Sequence, residues 1–397
     1  MRRSSLTSVA LVFGLVAVAC SAPTLAEFSD DEVTSGKKAK DDGSDSFGDG
    51  TTTGPDGKPT GGCVKDKGNY DFKGNDCDDD GDGKADNPAT CDATLGEAGS
   101  AAEFAKAMGI CETVTARGFG LVSATYTRGY NRTDAPKPQQ HGILSKFGNV
   151  LKPREGARLG VLSTGYAQEY NGAAGRAFGG NSPGVDWWGA GFGGGSGNGT
   201  APPGFPKPAD GCPGASAVND VINLKLVLKA PKNASGFKFD FNFHSGEWPA
   251  YICSEFNDGF VAYLTSSAGS DNISFDSKKN PVSVNNGFFD RCTPGARIGC
   301  LGGRSGTSVC PGGTEELAGT GFGTTGSFCP GGGSSVSGGA TGWLTSQAPV
   351  KAGEQFTLEL MIWDTGDGDL DSSVLIDNFQ WIQGEVKTST ERPADPR

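Results

Sequence analysis

The stretch GFKFDFNFHSGEWPAYICSEFNDGFVAYL, residues 236–264, decides the fold. It opens on strict alternation: Phe237, Phe239, Phe241 and Phe243 are separated by Lys238, Asp240, Asn242 and His244. Successive side chains of an extended chain point to opposite faces. The four rings therefore share one face and the polar groups the other, which predicts a half-buried strand. An acidic corner follows, with Glu247, Trp248, Glu255, Asn257 and Asp258, and a second apolar run, Phe260 to Leu264, leaves it. The plan recurs downstream. Phe356 to Trp363 reads as a strand, runs into an acidic loop holding Asp364, Asp367, Asp369 and Asp371, and Val374 to Ile382 returns as another strand. Two strand pairs, each ending in carboxylates, predict an all-β protein: a jelly-roll-like β-sandwich with an acidic rim.

Composition agrees. The chain has 397 residues, with Gly 65, Met 3 and only 20% charged residues, which favours short strands joined by long Gly-rich loops. Val221 to Lys229 alternates as well, with Ile222, Leu224, Leu226 and Leu228 on one face. Phe119 to Thr127 and Ala157 to Gly165 read as further strands. One short helix is expected after Ser100, where Ser100-Ala-Ala-Glu103 forms a capping box. The net charge of -12 excludes nucleic acid as a partner, because phosphate binding needs a basic surface. An acidic surface suits divalent cations, or simply keeps a secreted protein soluble.

Eleven cysteines point to an oxidising compartment. With no CxxC pair, no HExxH and two His, a Cys/His zinc site is not expected. Arg2 and Arg3 followed by the apolar run Leu6 to Ala19 read as a signal peptide over residues 1–19, too short to span a membrane comfortably. Its end, Leu15 to Ser21, resembles a bacterial lipobox. That resemblance implies lipidation of Cys20 and an anchor in the outer membrane, since Ser21 is not the Asp that retains lipoproteins at the inner one. A cut after Ala26 would instead release a secreted protein. Setting Cys20 aside leaves ten cysteines, enough for five disulfides whose pairing is open. Residues 20–60 are polar and read as a disordered tether.

Residues 61–97 form a small Cys-rich module. Asp78, Asp80, Asp82 and Gly83 fit positions 1, 3, 5 and 6 of a DxDxDG calcium loop, and Asp86 fits position 9. Alternate residues of a tight loop aim oxygens at one centre, and Gly permits the sharp turn. Ala89 stands where an EF-hand would carry its bidentate Glu, so the loop is not an EF-hand. It looks more like thrombospondin type 3 loops and the Cys-flanked acidic motifs of bacterial surface proteins. Cys77 and Cys91 bracket it and could staple it. An acidic solvated linker is the alternative.

Residues 172–214 read as a long Gly-rich surface loop carrying Trp187 and Trp188, and residues 276–347 as an insertion needing Cys292, Cys300, Cys310 and Cys329 to hold a shape. The GxGxxG from Gly189 to Gly194 lacks the flanking strand and helix that cradle phosphate. The polar tail, 385–397, is expected to fray.

The Phe-rich strand and its Ser254-Glu255 corner, Asn280-Pro-Val-Ser-Val-Asn285, Gly342-Trp-Leu-Thr, and the strand and acidic loop at 356–379 together resemble the choice-of-anchor L domain. Gly160 to Gly165 extends the likeness, which covers about residues 110 to 384, within a folded region 98–384. The resemblance implies a bacterial surface protein with no common catalytic activity. Crowded carboxylates at 364–371 repel unless neutralised, so Ca²⁺ is the expected cofactor, with Glu247, Glu255 or Asp258 as cross-loop ligands. The expected partners are a membrane, through the lipid, and a glycan or surface protein. The alternative is a glycosidase using Glu247 and Glu255, which would need a set carboxylate spacing. A Ser–His reading of Ser245 and His244 lacks a nucleophile elbow.

Overall fold

Phe237, Phe239, Phe241 and Phe243 are all fully buried on one strand, as their alternation requires. The computed structural model describes residues 63–167, 199–285, 288–323 and 338–394. The leader, Cys20, the tether and the Trp187–Trp188 pair lie outside the described residues.

Two antiparallel sheets carry the fold. The first joins β1 (Gly120–Thr127), β4 (Val218–Lys229), β13 (Gln355–Thr365), β6 (Gly259–Ser266) and β7 (Gly269–Asn272) in that order, with β8 (Val282–Ser283) added to β6. The second runs β15 (Ser389–Glu391), β12 (Leu344–Pro349), β5 (Gly236–Ser245), β14 (Ser372–Ile382), β3 (Leu159–Ser163) and β2 (His141–Leu144), with β11 (Gly339–Ala340) added to β5. A small ribbon pairs β9 (Arg297–Ile298) with β10 (Gly306–Thr307) inside the Cys-rich insertion. The main core lies between the sheets. Ile222, Leu224, Leu226 and Leu228 of β4 and Phe356, Leu358, Leu360 and Ile362 of β13 belong to one cluster with the β5 rings.

The polar face of β5 departs from expectation: Asp240, Asn242 and His244 are buried too. Alternation shows which residues share a face, but not what later covers that face. Here loops pack over it. Phe147 and Phe322 place their rings 5.2 and 5.3 Å from the His244 ring. Arg154 pairs with Asp240 at 3.1 Å. A second cluster, with Leu151, Leu317 and Trp343, seals this outer face.

Helix α1 (Ala101–Ala107) carries the expected capping box between Ser100 and Glu103. A second, four-residue helix, α2 (Val114–Arg117), is an addition, started by the Thr113 side chain and ended by Gly118 at φ 82°. The tail does not fray as expected. Residues 389–391 pair with β12, and Arg392 donates to the carbonyls of Thr341 and Phe288.

Disulfides join Cys63–Cys77, Cys91–Cys111, Cys212–Cys253 and Cys292–Cys310, and Cys300 is also disulfide-bonded. Cys77 and Cys91 thus do not pair with each other. The Cys63–Cys77 bridge closes the segment that leads into the acidic loop, while Cys91 fastens the module to Cys111 at the start of the sandwich. Asn233 reinforces this junction by accepting from the Tyr70 amide (2.9 Å) and donating to its carbonyl (2.8 Å).

Candidate metal centres

Neither acidic corner closes a hairpin. β5 lies in the second sheet and β6 in the first; β13 lies in the first and β14 in the second. Each corner is therefore an arch from one sheet to the other. β5 pairs with β14 and β6 pairs with β13, so the four strands form one antiparallel two-stranded ribbon creased over the core. Ser245 sits opposite Ser372, and Gly259 opposite Trp363, which puts both arches at the same end.

The rows that build the core run on into this crease. Every second residue of a strand faces inward, so Ile362 is followed by Asp364, Phe243 by Ser245, and Phe260 is preceded by Asp258. Val374 is preceded by Ser372 and Ile222 by Asp220 in the same way. The apolar core therefore ends in a polar layer. Asp258, Asp364 and Asp371 are each 1% exposed and Glu247 is 2% exposed.

Hydrogen bonds hold the layer together. Asp258 accepts from the Thr365 amide (3.1 Å) and the Ser372 hydroxyl (2.7 Å). The Thr164 hydroxyl accepts from the Ser372 amide at 2.9 Å. The Gly246 amide donates to the Asp371 carbonyl, so the arches also touch through backbone. A Cβ on Gly165 would collide with the Asp371 carboxylate. Asp364 differs from Asp258: the Thr164 hydroxyl is near enough to lower its carboxyl slightly but donates to the Ser372 carbonyl (3.3 Å), so neither Asp364 oxygen meets a donor at hydrogen-bond geometry, and Oε2 of Glu247 is likewise buried without one.

Burial raises the Asp258 carboxyl to about 7, against the pull of Ser372 and Thr365. It raises Asp364 well above the usual range, with the charges of Asp258, Asp371 and Asp220 adding to it. Glu247 is raised well above its usual range, again by burial first and then by Asp258, Asp367 and Asp369. Among the described residues no Lys or Arg forms an ion pair with Glu247, Asp258 or Asp364.

The acidic loop of the Cys-rich module is a separate centre. Asp78, Asp80 and Asp82 each bring an oxygen within 4.8 Å of the others, the one such trio among the described residues. Lys65 reaches Asp78 at 2.7 Å and holds its carboxyl below the usual range, and Arg117 pairs with Asp80. Asp86 turns away from the trio, accepting from the amides of Asn75 (3.1 Å) and Asp76 (3.2 Å). All the donors are hard oxygens, which suits Ca²⁺.

Of the residues singled out in the sequence, the crease brings together Glu247, Asp258, Asp364 and Asp371. Asp367 and Asp369 stay on its half-exposed rim, where Asp367 accepts from the Asp369 amide. Glu255 is exposed and Glu247 buried, so the two do not face one open cleft as a glycosidase pair must. Asp220, Thr164 and Ser372 escaped notice, although extending the inward rows by one step would have found Asp220 and Ser372.

The molecule is thus an all-β sandwich braced by disulfides, with an acidic crease at one end and an acidic loop module at its side. Residues 219–380 match the family model of the Choice-of-anchor L domain. The match begins in β4 and ends in β14, so it contains both arches and is narrower than the span expected from the sequence. β1, β2, β3 and β15 complete the same sheets from outside it. Choice-of-anchor domains occur in cell-surface proteins and are not a known enzyme family. No curated protein and no solved structure matches the chain.

Proposed function

We propose that the protein is a non-catalytic β-sandwich of the bacterial surface, stabilised by Ca²⁺ and structural in role, with Cys20 as its lipid attachment. The convergence of Asp78, Asp80 and Asp82 carries the calcium reading. Three carboxylates so close repel one another unless a cation sits among them. Lys65 and Arg117 neutralise only part of that charge from the edge. The match to a family of surface domains supports the location. The tryptophans favour a structural role over sugar binding. Trp248 is 9% exposed and stacks on Phe289, and Trp343, Trp363 and Trp381 are buried more deeply. None of these four offers a flat exposed platform.

The test is a thermal melt of the full, oxidised chain in EDTA and in added Ca²⁺. An ion bound only by the folded state raises the melting temperature with its concentration. Asp78→Asn/Asp80→Asn should remove the part of the rise that belongs to this loop. An unchanged calcium response in the double variant would end the assignment of the ion to this loop.

A further inference from the structure

The acidic loop meets the sandwich through Arg117. This side chain, on the last residue of α2, pairs with Asp80, and its Nε lies 3.9 Å from Oε2 of Glu112. That Nε is buried without an acceptor, so the guanidinium serves Asp80 and leaves Glu112 just beyond hydrogen-bonding reach. Asp80, Asp82, Glu112 and Arg117 line one cavity of about 190 Å³, which gives the guanidinium room to turn. Its surroundings are fixed. The Thr113 cap and Gly118 set α2, and Glu112 follows Cys111, which is bonded to Cys91 of the module.

The three carboxylates are not equally open to an ion. Asp78, 8% exposed, keeps Oδ1 buried without a donor, while its Oδ2 accepts from Lys65 and the Gly83 amide. It can turn the free oxygen to a cation and keep Lys65. Asp80 has no such reserve: Oδ1 accepts from the Asp82 amide (3.0 Å) and Oδ2 from Arg117. An ion on that second oxygen would face the guanidinium across it. Charge leads the same way. Lys65 and Arg117 leave the three carboxylates with one net negative charge. A divalent ion added to both would make the site positive, so one cationic side chain must withdraw.

We infer that Arg117 is a built-in competitor of Ca²⁺ for Asp80, and that loading the loop hands its guanidinium over from Asp80 to Glu112. This rests on the calcium reading above and adds the regulation of that site. The loop's affinity is set from the sandwich, by a side chain that lies outside the loop. The ion-free protein holds the loop to α2 through the Arg117–Asp80 pair, and the loaded protein exchanges that tie for the ion.

The test is calorimetric titration of the full, oxidised chain with Ca²⁺. Arg117→Gln should tighten binding about 3–10-fold, the scale of a partly exposed ion pair that no longer has to be broken. Arg117→Lys, which keeps a positive charge on the same helix, should return the affinity toward that of the unaltered chain. Glu112→Gln should weaken binding about 2–5-fold, because the displaced guanidinium loses its acceptor. In the Arg117→Gln background the same change should lose most of its effect, a non-additivity that a general electrostatic influence of Glu112 would not produce. Equal or weaker binding by Arg117→Gln, in a chain whose ion is still lost with Asp78→Asn/Asp80→Asn, overturns the competition and leaves calcium in the loop. A Glu112→Gln effect of the same size in both backgrounds overturns the hand-over. Failure of the unaltered chain and Arg117→Gln alike to bind up to millimolar Ca²⁺ overturns the calcium reading itself, and the competition with it.

Discussion

His244 shows how far one side chain's setting can depart from its place in an alternating row. It sits on the polar face of β5, yet Phe147 and Phe322 enclose it, and burial pushes the imidazole down to about 3. The unfolded chain takes up its proton near pH 6.5, and the folded chain does not. Stability should therefore fall as pH drops from about 6.5 toward 3, at up to about 1.4 kcal/mol per pH unit from this residue. Urea denaturation at a series of pH values would show the slope, and His244→Leu should flatten it. An acid limb of equal slope in the variant would mean that His244 is not held neutral. That the row Phe237 to Phe243 is core was legible, because period two and four large rings leave no other solution. That the opposite row is also buried was not. Its cover comes from residues far along the chain, which carry no periodic signal of their own.

At the scale of elements, α1 touches both sheets through Phe104, whose ring lies 6.1 Å from Tyr126 of β1 and packs onto Gly160 of β3. A Cβ at Gly160 would run into the Phe104 ring, so Gly160→Ala must push the helix away or distort the strand. We expect a loss of about 1–3 kcal/mol, read by chemical denaturation, with the larger part regained when Phe104→Leu is added. The capping box was readable because Ser100 and Glu103 are neighbours in sequence. The crease was readable only in part. Glu247, Asp258, Asp364 and Asp371 stand out as charges beside apolar runs. Their convergence depends on each strand pair dividing between two sheets, and nothing in the local pattern separates an arch from a hairpin.

At the scale of the whole molecule, the tail closes an edge. β15 covers β12, and Arg392 anchors it to Asp290 at 2.8 Å. An uncovered edge strand offers unpaired amides and carbonyls to another chain. Truncation after Gly384 should therefore leave the fold but promote self-association, visible as a concentration-dependent rise in scattering mass; a strictly monomeric truncated chain would count against this role. The tail's polar composition hid the strand, since edge positions with few core contacts need no apolar row. That the cysteines form disulfides was legible, but their pairing was not, because pairing is set by which loops meet.

The creased ribbon ties the fate of the sheets together. Each strand of the ribbon passes from one sheet into the other, and its partner makes the same passage beside it. Neither sheet can be peeled away as a separate layer without dragging two central strands out of its neighbour. The sandwich is topologically closer to a folded strap than to two stacked plates, and its halves must come apart as one.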